Sequence, residues 1–188
     1  MNNIKNLEVI KGDASFRKFF RKKNKKFTSI LVFSKKEKFK NLIIYDSINK
    51  ILNKNKVLAP NLYKESYKKN YIEIQDFGDD TIFKILGKRG KNKFQYFKKV
   101  INILNQIQSI KNRDIINFKN KKYRIPKYDE DILIKEANLF CEWYAKKILP
   151  KSRIKKFTKE FKNVIKKLTL CLKLKNNIFV HRDFHVSN

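Results

Sequence analysis

The spacing of the apolar residues changes part-way along the chain, and this change limits the folds open to it. Before about residue 80 they occur in short runs rich in β-branched side chains, which are typical of strands. From Phe94 onward they recur every three or four residues, as on one face of an amphipathic helix. A strand-rich front followed by a helical rear predicts an α+β fold with two segregated lobes. We expect the boundary near Phe77–Asp80, which divides the chain into residues 1–79 and 80–188.

The front part is predicted to contain five strands and one helix. The expected strands are Leu7–Ile10, Phe16–Phe20, Thr28–Phe33, Asn61–Tyr63 and Tyr71–Ile74. Lys11–Ser15 has turn chemistry and predicts a hairpin between the first two strands. Apolar residues near helical spacing predict a helix over Phe39–Leu52.

The rear part is predicted to contain three helices and one short strand. The expected helices are Phe94–Ile110, Asp129–Ile148 and Ile154–Leu172. Pro150 is expected to end the second of them. The apolar triplet Ile178–Val180 predicts a short terminal strand that leads into His181. Trp143 and Tyr144 lie on the second helix, where such a pair either packs in the core or lines a substrate.

The formal net charge of +30 has two interpretations. The 47 basic residues comprise 40 Lys and 7 Arg spread along the chain, whereas base readout and bidentate phosphate binding favour Arg. Lys, Asn and Ile are abundant together, as in proteins from A+T-rich genomes, so we expect no specific nucleic-acid partner. The alternative is a basic nucleic-acid-binding module without catalysis, with Lys and aromatic residues on one surface and salt-sensitive binding.

Cellular location and cysteine chemistry follow from short features of the sequence. The longest apolar runs are a few residues, far below the roughly 20 that a membrane span needs, and the first residues do not resemble a secretory signal. We therefore expect a cytoplasmic protein with no membrane partner; the sequence leaves the oligomeric state open. Cys141 and Cys171 lack metal-binding or redox spacing, which predicts two buried thiols.

The last eight residues contain both histidines of the chain. Their spacing, with His181, Asp183 and Asn188 in the pattern H-R-D-x-x-x-x-N, is that of the catalytic loop of phosphoryl-transfer kinases. In that loop the Asp accepts the proton of the attacking hydroxyl and the Asn holds Mg²⁺. We therefore predict Asp183 as catalytic base and Asn188 as metal ligand. The alternative is a terminal strand with a polar cap, in which Asp183 is an ordinary surface carboxylate.

Six segments, in order along the chain, resemble the aminoglycoside-phosphotransferase-type kinases, and among them the bacterial anomeric kinases of N-acetylmuramate and N-acetylglucosamine that act in cell-wall sugar recycling. They are Gly12–Arg21, Ala59–Tyr63, Gln75–Asp79, Pro126–Asp129, Leu139–Tyr144 and Phe179–His185. The resemblance implies a protein-kinase-like fold, with ATP bound between a small β-rich lobe and a larger helical lobe. It also implies transfer of the γ-phosphoryl group to a hydroxyl.

The resemblance implies roles for residues in both lobes. The turn over the ATP phosphates would be formed by Gly12, Asp13, Ala14 and Ser15. The hinge segment, residues 75–79, would meet the adenine, with Gln75 and Phe77 as contacts. The triplet Asp76-Phe77-Gly78 precedes the catalytic loop by about a hundred residues, so it is interpreted as hinge and not as the kinase metal-binding triplet. His181 is expected to brace the catalytic loop and Arg182 to keep Asp183 ionised.

Two features depart from the kinase pattern. Kinases of this fold have a phosphate-binding Lys on the third strand, anchored by a helix Glu. Thr28–Phe33 contains no Lys and the following helix offers only Asp46, so Lys26, Lys35 or Arg17 are the candidates for the phosphate contact. A carboxylate that binds Mg²⁺ downstream of the catalytic loop is also missing, as are the helices that would complete the second lobe.

We therefore expect the helical lobe to be incomplete and the sequence to be a fragment. The expected activity of the intact protein is that of an ATP- and Mg²⁺-dependent kinase. For the fragment itself, the alternative to activity is an inert remnant that neither folds cooperatively nor binds ATP. Its acceptor would be a hydroxyl of a small molecule, most simply an amino sugar.

Overall fold

The computed structural model describes residues 7–10, 17–24, 26–34, 41–90, 92–172 and 178–186. These residues form two compact units. One comprises the described residues up to Ile125 together with those from His181 on, and the other is Pro126–Val180. The lobe boundary expected near Phe77–Asp80 stays a prediction, because compact units and functional lobes are different properties of a chain.

Within its described residues the first unit contains a five-stranded antiparallel sheet and a helix. The strands are β1 (Leu7–Ile10), β2 (Arg17–Lys23), β3 (Thr28–Ser34), β4 (Leu62–Ser66) and β5 (Tyr71–Gln75), and α1 (Asn41–Lys54) lies between β3 and β4 in sequence. The order across the sheet is β1-β2-β3-β5-β4. The predicted strands and helix are therefore confirmed in position, and the fold is α+β as expected.

The core of this unit lies between one face of the sheet and α1. Ile30 and Val32 of β3 are opposite Ile74 and Ile72 of β5, and all four are buried with Leu42 of α1. Alternate residues of a strand point to the same face, so these side chains form one apolar layer. Burial of each one stabilises the fold by about 1.5–3 kcal/mol, which fixes the register of β3 against β5.

The first unit continues with short elements that the sequence analysis did not predict. They are a 3₁₀ turn (Tyr67–Lys69), α2 (Ile82–Gly87) and a hairpin of β6 (Asp114–Ile116) and β7 (Lys122–Arg124). Elements of three to six residues are too short to show a hydrophobic period. The predicted helix after Phe94 is present as α3 (Lys93–Gln108), and the Asn92 side chain caps it by accepting a hydrogen bond from the Gln95 N–H.

The second unit is helical. It contains α4 (Glu130–Leu139), a π-helical turn (Phe140–Ala145), α5 (Lys146–Ile148) and α6 (Lys151–Cys171). The Asp129 side chain caps α4 at the Ile132 N–H, and the helical run ends before Pro150, as predicted. Phe140 packs against Phe161 of α6, with 5.4 Å between ring centroids.

Two expectations about the rear part are wrong. Ile178–Val180 does not form a strand, since no strand among the described residues pairs with it. Trp143 and Tyr144 are exposed rather than in the core, because the π-helical turn changes the register at which residues face α6 and directs Phe140 toward it. Their contact with a substrate stays a prediction.

The two cysteines differ in environment. Cys141 is buried as expected, but Cys171, at the end of α6, is exposed, so the expectation of two buried thiols holds for one. In the part of the chain that the structure describes, the helices lack the combined length and hydrophobicity needed to span a bilayer.

Candidate functional site

The strand β2 carries two arginines on the face of the sheet that packs against α1. Arg21 is opposite Ile30, and two residues away Phe19 is opposite Val32. Ile30 and Val32 belong to the buried layer beneath α1, and residues opposite one another on antiparallel strands share a face. Arg17, two residues further along β2, therefore also lies on this face.

Arg17 is held against α1. Its guanidinium carbon lies 5.1 Å from the centroid of the Tyr45 ring, a cation–π contact. Burial raises the pKa of Tyr45, while the charge of Arg17 and a hydrogen bond with Asn49 oppose that rise. Among the candidates for a phosphate contact, Lys26 is exposed ahead of β3 and Lys35 lies outside the described residues, so Arg17 is the one that the structure fixes on this face.

The helix carboxylate that the sequence analysis noted has a partner on its own helix. Asp46 is buried in α1, and its Oδ2 lies 2.9 Å from Lys50 Nζ, one turn further along. Burial raises the pKa of Asp46, and the hydrogen bond and charge of Lys50 act against that rise. The helix Glu of kinases pairs instead with a third-strand Lys.

Arg21 joins β2 to the hinge segment through both carboxylates of that segment. Its Nε donates to Asp76 Oδ2 at 2.7 Å and its Nη2 to Asp76 Oδ1 at 3.2 Å. Its Nη1 and Nη2 donate to Asp79 Oδ2 and Oδ1, both at 2.9 Å. We call these three residues the arginine clamp.

The charges of the clamp stabilise one another. Burial disfavours the ionised form of Asp76, but hydrogen bonds from Arg21, Thr28 and the Gly78 N–H outweigh it and lower the pKa of this carboxyl. The hydrogen bond from Arg21 likewise lowers the pKa of Asp79. The two carboxylates raise the pKa of Arg21 in turn, so all three groups are ionised at neutral pH.

Gln75, the first residue of the hinge segment, is held by Asn61, the residue before β4, whereas Phe77 is exposed. The Gln75 N–H donates to the Asn61 carbonyl at 2.9 Å, and Asn61 Nδ2 donates to Gln75 Oε1 at 3.1 Å. The side-chain oxygen of Gln75 is thus engaged within the fold. Phe77 is 50% exposed, so its ring is accessible to a ligand.

The terminal loop, residues 181–186, returns to the sheet-bearing unit. The Phe83 N–H, at the start of α2, donates to the Val186 carbonyl at 2.9 Å. The loop therefore lies beside the helix that follows the hinge segment, although about a hundred residues separate them in sequence.

Within this loop, Asp183 is an exposed carboxylate with defined neighbours. His185 Nε2 lies 3.4 Å from Asp183 Oδ1. The ring of His181 packs edge-on against Phe184, with 5.3 Å between centroids, and its bracing of the loop by hydrogen bonding stays a prediction. Arg182 has a φ of 72°, in the left-handed region that is costly for residues other than Gly, and such strain is frequent at functional sites.

The remaining predicted site residues belong to the phosphate turn and the metal site. The proposed phosphate turn, Gly12–Ser15, and the proposed metal ligand Asn188 lie outside the described residues. Among the residues that are described, no three His, Cys, Asp or Glu side chains are grouped as metal ligands. The roles of these residues stay predictions.

The sequence analysis missed two features of this region. The arginine clamp was not predicted, although Arg21 and the hinge segment both belong to segments that carry the family resemblance. A single sequence does not show that Arg21 pairs with Asp76, 55 positions further along the chain. The proximity of His185 to Asp183 was not predicted either, but their separation by two residues in a histidine-rich loop was a usable signal.

Comparison with known proteins indicates a distant relationship to a kinase. No protein family model matches the chain. It is 22% identical over 179 residues to the N-acetylmuramate/N-acetylglucosamine kinase of Neisseria meningitidis serogroup B. The match covers 94% of this chain and 50% of that kinase, so the chain spans about half the length of the curated relative it matches.

Proposed function

We propose that this chain is part of an ATP- and Mg²⁺-dependent kinase that phosphorylates a hydroxyl of a small molecule, an amino sugar of the N-acetylmuramate or N-acetylglucosamine type. The observation that carries the proposal is the similarity to a kinase along nearly the whole chain. The return of the terminal loop to the unit that contains the hinge segment supports it, because a kinase needs the base residue and the nucleotide site in one assembly.

The nucleotide would be held by residues of the sheet-bearing unit. Phe77 offers an exposed ring and backbone groups for the base. Arg17 offers a cation on the α1 face of the sheet for the phosphates, in place of the third-strand Lys of kinases. The N–H groups of Gly12–Ser15 would add donors to the phosphates. Bound ATP supplies the γ-phosphoryl group.

The acceptor would be activated by the terminal loop. An Asp183 carboxylate oxygen accepts the proton of the acceptor hydroxyl as that hydroxyl attacks phosphorus. The exposure of Asp183 leaves it accessible to such an acceptor, and His185 at 3.4 Å restricts its orientation. Arg182, next in sequence, adds positive charge near the carboxylate.

Asn188 is the residue of this chain that we propose as a metal ligand. Asn188 would supply one oxygen ligand, and amide and carboxylate oxygens are the ligands that Mg²⁺ prefers. Asn188 lies outside the described residues, so the structure gives no geometry for the metal. The contribution that we derive from this chain is positioning and proton acceptance, which supply a large share of phosphoryl-transfer catalysis.

An ATP-consumption assay on the protein expressed from its full reading frame tests the proposal. With MgCl₂ present, we expect ATP turnover that depends on N-acetylmuramate or N-acetylglucosamine. A parallel panel of choline, an aminoglycoside and a Ser-containing protein separates the acceptor classes. Turnover with none of these acceptors would contradict the kinase proposal, and turnover with a panel member alone would contradict the amino-sugar assignment.

Nucleotide binding is tested separately by thermal melting. A ligand that binds only the folded form raises the midpoint, by an amount that grows with its concentration relative to Kd. We expect Mg-ATP to raise the melting temperature of the chain. A single-stranded oligonucleotide at the same phosphate concentration is the control, and a larger shift with the oligonucleotide would favour the basic nucleic-acid-binding module.

A further inference from the structure

We propose that Arg21 is a positioning residue that holds the hinge segment in the geometry in which it receives the nucleotide base. This inference rests on the proposed function, because it assigns a role within the same nucleotide site. It is carried by the arginine clamp and by the position of Phe77 between the two clamped carboxylates.

The geometry of the clamp fixes the direction of both carboxylates. A planar guanidinium donates four hydrogen bonds of 2.7 to 3.2 Å to two carboxylates three residues apart. Bidentate pairing of this kind fixes direction as well as distance. A Lys at this position would supply one point charge and could not reproduce these four directed hydrogen bonds.

The two residues between the clamped carboxylates are also held in place. Phe77 and Gly78 are the residues between Asp76 and Asp79, and Gly78 has a φ of 79°, which Gly adopts at little cost. The Gly78 N–H donates to Asp76 Oδ1 at 2.8 Å, which closes the turn from inside. The backbone of Phe77 is therefore held on both sides, while its ring is exposed.

The two carboxylates of the clamp differ in burial, so their contributions to stability differ. The side chain of Asp76 is 3% exposed, so loss of its partner would leave a buried charge and destabilise the fold. The side chain of Asp79 is 65% exposed, and ion pairs of exposed groups contribute little to stability. The pairing with Asp79 therefore restrains the hinge segment at little gain in stability, which makes Asp79 the position at which the two roles are separable.

The experiment compares two ligands in Asp79→Asn. Isothermal titration calorimetry measures the Kd of ATP, which has a base, and of inorganic tripolyphosphate, which does not. If the freed segment adopts the base-binding geometry about a third of the time, the apparent Kd of ATP rises by about threefold, which is an effect that an exposed ion pair can sustain. The Kd of tripolyphosphate and the melting temperature should stay close to those of the unaltered protein.

Two further variants complete the design. Asp80→Asn is the matched control, because Asp80 is the neighbouring exposed carboxylate and pairs only loosely with Lys88, at 3.6 Å. It should bind both ligands as the unaltered protein does. Arg21→Lys keeps the charge but lacks the planar guanidinium. We expect this variant, too, to raise the Kd of ATP more than the Kd of tripolyphosphate.

The outcomes are distinct. An unchanged Kd of ATP in Asp79→Asn, or equal weakening of both ligands, would overturn the positioning role. Equal effects of Asp79→Asn and Asp80→Asn would overturn it too, because the effect would then follow from net charge. Failure of the unaltered protein to bind ATP would overturn the proposed function and this inference together.

Discussion

The imidazole Nε2 of His185 lies 3.4 Å from Oδ1 of Asp183, in a loop that is hydrogen-bonded to the start of α2. Both side chains are exposed, so the contact contributes little to the free energy of unfolding. The contact instead orients the Asp183 carboxylate, because it limits the positions that this side chain can adopt. Substitutions here should therefore change chemistry more than stability.

Replacement of the proposed base tests this directly. In Asp183→Asn the side chain keeps its size but no longer accepts a proton, so turnover of ATP with an amino sugar should fall by about 10²- to 10⁴-fold. The Kd of ATP and the melting temperature should change little, because the side chain is exposed. A coupled ATP-consumption assay on the full reading frame measures the first quantity and calorimetry the second. Turnover at the unaltered rate would exclude Asp183 as the base.

A second prediction concerns the left-handed turn ahead of β5. Asn70 has a φ of 61°, and its carbonyl accepts the Ser34 N–H at 2.9 Å, so the turn supports the end of β3. Gly adopts this conformation freely, whereas a β-branched residue is strained by roughly 1–2 kcal/mol. Denaturant unfolding should show Asn70→Gly within about 0.5 kcal/mol of the unaltered protein and Asn70→Val destabilised by the larger amount. The control is Lys68→Val, on the exposed 3₁₀ turn, and an equal loss there would show that the left-handed backbone is not the cause.

A third prediction tests the apolar layer under α1. Ile72 is fully buried in the centre of the sheet, and Ile72→Ala should lower the free energy of unfolding by about 2–5 kcal/mol through lost burial and a residual cavity. Val9, on the edge strand β1, is largely exposed, so Val9→Ala should cost under about 0.5 kcal/mol. Urea titrations of both variants measure the difference. Similar losses in the two variants would mean that the sheet is not packed as described.

Secondary structure was predictable where a pattern of apolar residues extended over enough of the chain. The β-branched runs identified β3 and β5, and the helical period identified α3 and α6. The π-helical turn was not predictable, because a one-residue change in helical register leaves the apolar spacing almost intact while it exposes Trp143. The triplet Ile178–Val180 had strand composition, but composition does not provide a neighbouring strand.

The candidate site was inferred from the sequence where its chemistry depends on spacing along the chain. The catalytic-loop assignment rests on the spacing of Asp183 and Asn188 alone, and the roles of both residues stay predictions. The arginine clamp depends on the register of β2 against β3 and on where β5 ends, so it required the three-dimensional structure. Arg17 was one of three cations that the sequence left equivalent, and its contact with Tyr45 distinguishes it from the exposed Lys26.

A last prediction concerns the buried carboxylate of α1. Burial raises the pKa of Asp46 above the unfolded value of about 3.9, in spite of the Lys50 ammonium at 2.9 Å. The folded state therefore binds more protons than the unfolded state between these two pKa values, and this group makes the protein less stable as the pH rises through that window. Asp46→Asn removes the ionisation, so its melting temperature should exceed that of the unaltered protein at pH 7.

The pH dependence and the partner variant make this prediction specific. The Asp46 carboxyl takes up its proton as the pH falls through its raised pKa, so the advantage of Asp46→Asn should be smaller at pH 4 than at pH 7. Lys50→Met leaves the carboxylate buried without its counter-charge and should destabilise by about 1–3 kcal/mol at pH 7, with a smaller effect at pH 4. Thermal melts of the three proteins at both pH values measure these differences. A lower melting temperature for Asp46→Asn at pH 7 would mean that the attraction of Lys50 exceeds the desolvation of Asp46, and that α1 depends on this ion pair for its stability.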